Sequence, residues 1–124
     1  MVKPTDPINY LHYQKKFTHK DFETVKVEIN YGDGTSRSKK LHAFDGTGGL
    51  EGLLYVEEEF RKAANNFFHF NGYDWFTYFP EVLKDAASDK WNNVLNQLPE
   101  DNATMDSEED FNVAMQLLYV KYSD

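Results

Sequence analysis

The chain has 124 residues and a formal net charge of −8, is 40% hydrophobic and 16% aromatic, and contains no cysteine. That length and apolar content suit one domain with one core, and the lack of thiols excludes a disulfide framework, a cysteine nucleophile and zinc sites built on sulfur. The charge is lopsided, with eight Lys/Arg against five Asp/Glu in residues 1–40 and five against sixteen in residues 41–124; such an acidic body repels phosphate backbones, so no direct nucleic-acid binding is expected.

Residues 1–20, MVKPTDPINYLHYQKKFTHK, hold two prolines and no sustained apolar period, which reads as an amino-terminal arm. Tyr10, Leu11, Tyr13 and Phe17 are its candidate anchors, to the core or to a partner. The arm has no apolar run of the signal-peptide kind, and no segment reaches the roughly twenty apolar residues that a bilayer span needs. A cytoplasmic setting without membrane contact is the expectation.

Residues 21–124 read as the domain proper. A β-hairpin is predicted over about 22–44, because Val25, Val27, Ile29 and Tyr31 alternate with Lys26, Glu28 and Asn30. Gly32-Asp33-Gly34 supplies its turn, and Arg37, Lys39 and Lys40 mark the return strand as an exposed edge. The pattern changes in the stretch LHAFDGTGGLEGLL, residues 41–54. After the glycine turn, Leu50, Leu53, Leu54, Phe60, Ala64 and Phe67 recur at helical spacing, predicting a helix over about 50–66 with Glu51, Glu57, Glu58, Arg61 and Lys62 on a wet face.

Gly72 is a candidate stop for that unit. A second helix is predicted over about 73–87 from the stripe Trp75, Phe76, Phe79, Val82, Leu83 and Ala86, with a kink or fresh start at Pro80. A third, over about 89–98, has Ser88 as its N-cap and Trp91, Val94, Leu95 and Leu98 facing the core. The last, over about 108–122, starts at a Ser107/Asp110 capping pattern and buries Phe111, Ala114, Met115, Leu118 and Tyr122. The fold class is therefore mainly α: a small helical bundle preceded by a hairpin.

Catalytic signatures are absent from the pattern. His12, His19, His42 and His69 show no metal-motif spacing, and Glu57-Glu58-Glu59 point in different directions on a helix, which suits solvation better than a cation. The two glycine-rich turns lack the residues of nucleotide-binding loops. No enzyme activity, cofactor or metal is expected. Eight aromatic residues fall within 67–79, more than one small helix buries on one side, which predicts an exposed apolar patch.

Residues 41–122 resemble the capsid region of Gag polyproteins from LTR retrotransposons of the copia and gypsy types, relatives of retroviral capsid. The resemblance rests on the Phe-containing strand and glycine turn of LHAFDGTGGLEGLL, on Phe60-Arg61-Lys62-Ala63, on Leu83-Lys84-Asp85-Ala86-Ala87 with Trp91 and Leu95, and on the late helix from Phe111 to Tyr122. Asp85 stands where the family usually has glycine, and the family's Cys/His zinc knuckle is missing. The resemblance implies an amino-terminal capsid lobe that assembles with itself into a shell, weakly when isolated from a second capsid domain. It implies first-helix contacts between copies, which here fall on Glu51, Glu58, Arg61, Lys62 and Asn65. The alternative is a monomeric adaptor domain that binds another protein through the aromatic patch.

Overall fold

Strict alternation gives the first element its form: in β1 (Thr24–Asn30) Val27 and Ile29 are buried while Lys26, Glu28 and Asn30 face water. The computed structural model describes residues 22–123; the arm and its anchors Tyr10, Leu11, Tyr13 and Phe17 lie outside the described residues. β1 pairs antiparallel with β2 (Ser36–His42), Val25 opposite Leu41 and Ile29 opposite Arg37. Both glycine turns are built on the same tripeptide, Asp-Gly-Thr. Asp33 Oδ1 accepts from Thr35 N at 2.9 Å and Asp45 Oδ1 from Thr47 N at 2.9 Å. The Thr35 and Thr47 hydroxyls donate to the same oxygens, and these bonds first, with the backbone ones second, hold both carboxyls below the usual range.

The hairpin cannot stand alone and lies on helices. α1 (Gly49–Ala63) runs on into a π-helical turn, Ala64–Phe68, which ends at His69 in the left-handed conformation (φ 56°, ψ 59°). The Phe70 N–H returns to the Ala64 carbonyl at 3.0 Å. His69 thus makes the stop expected of Gly72. Gly72 instead opens α2 (Gly72–Tyr78), capped by Asn71 with Asp74. It is glycine for a steric reason: a Cβ there would stand 1.9 Å from the Asp106 carbonyl oxygen. Gly52 in α1 is constrained in the same way, 1.9 Å from the Thr47 carbonyl oxygen.

Pro80 does open a fresh segment, the 3₁₀ turn Phe79–Val82, but the helix predicted to Ala87 is not resumed. Leu83 is extended, and the backbone here is taken by Phe44, whose N–H donates to Val82 O at 2.7 Å and whose carbonyl accepts from Lys84 N at 2.9 Å. α3 accordingly starts earlier than predicted, spanning Ala86–Asn96, with Asp85 and not Ser88 at its N-cap. Ala86, placed in the apolar stripe by the sequence, is exposed. After a 3₁₀ turn at Glu100–Asn102, α4 (Glu108–Tyr122) has the predicted bounds. Its cap is the predicted one too, Ser107 Oγ accepting from Asp110 N at 3.1 Å.

The core is largely aromatic. Phe111, fully buried, lies within 5.2 Å of Phe79 and 5.1 Å of Trp75, centroid to centroid, and Phe60 packs on Phe79 at 5.1 Å. Such ring pairs add specific attraction to the area they bury. The molecule is a mainly helical bundle fronted by a two-stranded antiparallel hairpin. No described helix is long and apolar enough to cross a membrane.

Candidate interaction surface

α1 carries the residues singled out for contact between copies, and its packing divides them. Lys62 and Asn65 are exposed and Glu51 is half-buried. Glu58 is buried, with Oε1 at 3.3 Å from Lys62 Nζ and Oε2 meeting no described partner. Arg61 is turned inward. Its Nε donates to Glu57 Oε2 at 2.6 Å, its Nη2 to Asn112 Oδ1 at 2.9 Å, and its guanidinium lies over the rings of Phe111 and Trp75 at 5.1 and 5.6 Å.

The wet face predicted for Glu57, Glu58 and Arg61 is therefore a correction. α4 lies along that side of α1, and Glu57, fully buried, accepts a 2.5 Å hydrogen bond from the Tyr119 hydroxyl. Glu57 is expected in water because it lies opposite the apolar stripe of α1; in the fold that side is covered, and Arg61 one turn on and Tyr119 across the interface pair its carboxylate. The signal for it was present in the i, i+4 spacing of Glu57 and Arg61. The surface that α1 offers a partner is thus narrower, centred on Lys62 and Asn65.

The aromatic segment is a second correction. Phe68, Trp75 and Phe79 are buried, Phe67, Phe70, Phe76 and Tyr78 are half-buried, and within 67–79 Tyr73 alone among the aromatic residues is exposed, at 66%. Part of this burial comes from the hairpin, which sequence periodicity cannot position. Tyr31 donates to Phe68 O at 2.8 Å and Arg37 Nη1 to Phe67 O at 2.7 Å. These bonds satisfy carbonyls at the helix end that have no partner within the helix. The Arg37 and Lys39 cations also sit over the Phe67 ring, at 5.4 and 5.2 Å.

An open groove of about 370 Å³ remains between hairpin and helix end, lined by Tyr31, Thr35, Ser36, Arg37, Phe68 and His69. Next to it, β2 presents its cations to solvent and is closed at its other end by α1. There His42 N–H donates to Glu59 Oε1 at 2.6 Å and the His42 ring meets Oε2 at 2.9 Å. The loop before α4 is self-contained: the Asp110 carboxylate accepts from Asn102, Thr104 and Asp106 N–H. The Asn102 bond is the largest of the effects that hold its carboxyl below the usual range. No group of three or more His, Asp or Glu among the described residues is placed to hold a metal ion.

No protein-family model, curated protein or solved structure matches the chain. The geometry offers exposed polar faces on α1 and the hairpin, beside a core built largely from the chain's aromatic residues.

Proposed function

We propose that this chain is a structural self-assembly module, a capsid-like lobe of the LTR-retrotransposon Gag type that joins copies of itself into a shell. Its partner is a second copy, with a further capsid domain supplying the rest of the assembly. The observation that carries the reading is the backbone at Asp85, φ 53° and ψ −128°, a conformation that glycine adopts freely and other residues only under strain. This is the position where the resembling family has glycine. The element order supports it as well: hairpin, glycine turn, long α1, short α2, a proline-opened break, then α3 and α4.

The Asp85 strain is testable by itself. Asp85→Gly is expected to raise stability by about 1 kcal/mol, seen as a rise in urea midpoint without a change in slope. An unchanged or lower midpoint removes this support. The alternative of a monomeric adaptor has less to rest on, because within residues 67–79 Tyr73 alone among the aromatic residues is exposed and Phe67, Phe70, Phe76 and Tyr78 are half-buried.

Contacts between isolated lobes of this kind bury little area and are weak. Fusing the chain to a trimerising tag raises local concentration and is expected to yield particles or sheets by electron microscopy. Lys62→Glu combined with Asn65→Asp tests the exposed part of α1, and is expected to disrupt them. Tethered chains that stay as discrete trimers at every concentration and salt overturn the reading.

A further inference from the structure

The two edges of the hairpin are chemically different. Ala43 N donates to Glu23 O at 2.8 Å and Tyr31 N to Thr35 O at 3.0 Å, so odd-numbered residues exchange the hydrogen bonds inside the hairpin. In an antiparallel ladder the alternate residues turn their N–H and C=O groups outward. On β2 this outer edge carries Ser36, Ser38, Lys40 and His42; Glu59 occupies the last, and three cations within Arg37–Lys40 repel a like strand. On β1 the outward groups belong to Thr24, Lys26, Glu28 and Asn30, all exposed, and they meet no described backbone partner.

From these edges we infer that β1 is a pairing surface for β1 of a second copy, related by a two-fold axis through Val27, joining two hairpins into a four-stranded antiparallel sheet. The sequence TVKVEIN is self-complementary in that register. Lys26 falls opposite Glu28 of the second copy and Glu28 opposite its Lys26, Thr24 opposite Asn30, and Val27 opposite Val27. The parity also agrees. Residues 24, 26, 28 and 30, whose backbone groups point outward, meet one another as the hydrogen-bonded pairs. The neighbouring registers, centred on Lys26 or Glu28, set identical charges directly across the axis and are disfavoured. Within one chain Lys26 Nζ and Glu28 Oε1 are 3.8 Å apart on the same exposed face, so both charges are in position before a partner arrives. A two-fold contact of this sort is closed and uses the same patch on both copies.

This inference rests on the self-association reading and names a face for it. Strand-edge contacts of seven residues bury little surface, so the expected dissociation constant for the 124-residue chain is about 10 μM to 1 mM. Sedimentation velocity of Lys26→Glu and of Glu28→Lys should each show association weakened at least about four-fold, since both cross-axis pairs become like charges. Mixing the two variants in equal amounts should restore it, because each chain then meets its opposite, although neither regains its internal pair. The double exchange Lys26→Glu with Glu28→Lys should also associate like the parent. Both positions are exposed, so circular dichroism should show all variants folded. Association unchanged in the single variants overturns the edge pairing while leaving self-assembly standing. Weakened variants that do not recover on mixing also overturn it, and so does a parent that stays monomeric up to about 1 mM.

Discussion

Trp91→Ala is expected to cost roughly 3–5 kcal/mol, the range for deleting a fully buried large aromatic. Trp91 is 1% exposed and is held between three rings, with centroids at 4.9 Å from Phe79, 6.0 Å from Phe111 and 6.2 Å from Phe76. It therefore links α3 to α4 and to the segment around Pro80 at once, and the cavity left by alanine cannot collapse without moving all of them. The buried Trp91 Nε1–H finds no hydrogen-bond partner among the described residues, so Trp91→Phe removes an unsatisfied donor along with some volume. It is expected to cost much less, under about 1.5 kcal/mol. Thermal unfolding separates the two: the alanine variant should melt at least about 10 °C below the parent. An alanine variant that melts within a degree or two of the parent is incompatible with this core.

Trp91 also shows which parts of the fold were legible. Its burial, the hairpin pairing and the bounds of α4 follow from local signals: apolar spacing, the Asp-Gly turn, and Ser107 three residues before Asp110. Local signals failed where the answer depends on a distant neighbour. The helix predicted to Ala87 stops at Val82 because Phe44 claims the backbone of residues 82–84. Gly72 is glycine because the backbone of Asp106, distant in sequence in the loop before α4, packs against it. The π-helical turn at Ala64–Phe68 is another case, since Arg37 and Tyr31 of the hairpin bind its terminal carbonyls. The wet face predicted on α1 fails in the same way, because Tyr119, which the apolar spacing of α4 does not place in the core, meets Glu57 there and buries it.

That misreading leads to the second large effect. Arg61→Ala is expected to destabilise by about 3–5 kcal/mol, the range for removing one partner of a buried ion pair. The residue lost is a long, partly exposed cation on a helix, which would ordinarily be worth only about 0.2–0.5 kcal/mol. The difference lies in Glu57. Its carboxylate is fully buried, receives Arg61 Nε at 2.6 Å and Tyr119 Oη at 2.5 Å, and faces the packed side of α4. Without the guanidinium its charge stays in the core with weaker compensation, and the cation–ring contacts over Trp75 and Phe111 disappear as well. A double-mutant cycle assigns the loss. Glu57→Gln placed in the Arg61→Ala background replaces the buried charge with a neutral amide that still meets Tyr119, and is expected to recover stability relative to Arg61→Ala alone. If Glu57→Gln destabilises the Arg61→Ala variant further, the cost of Arg61→Ala comes from lost packing, and the ion pair is not what holds α1 against α4.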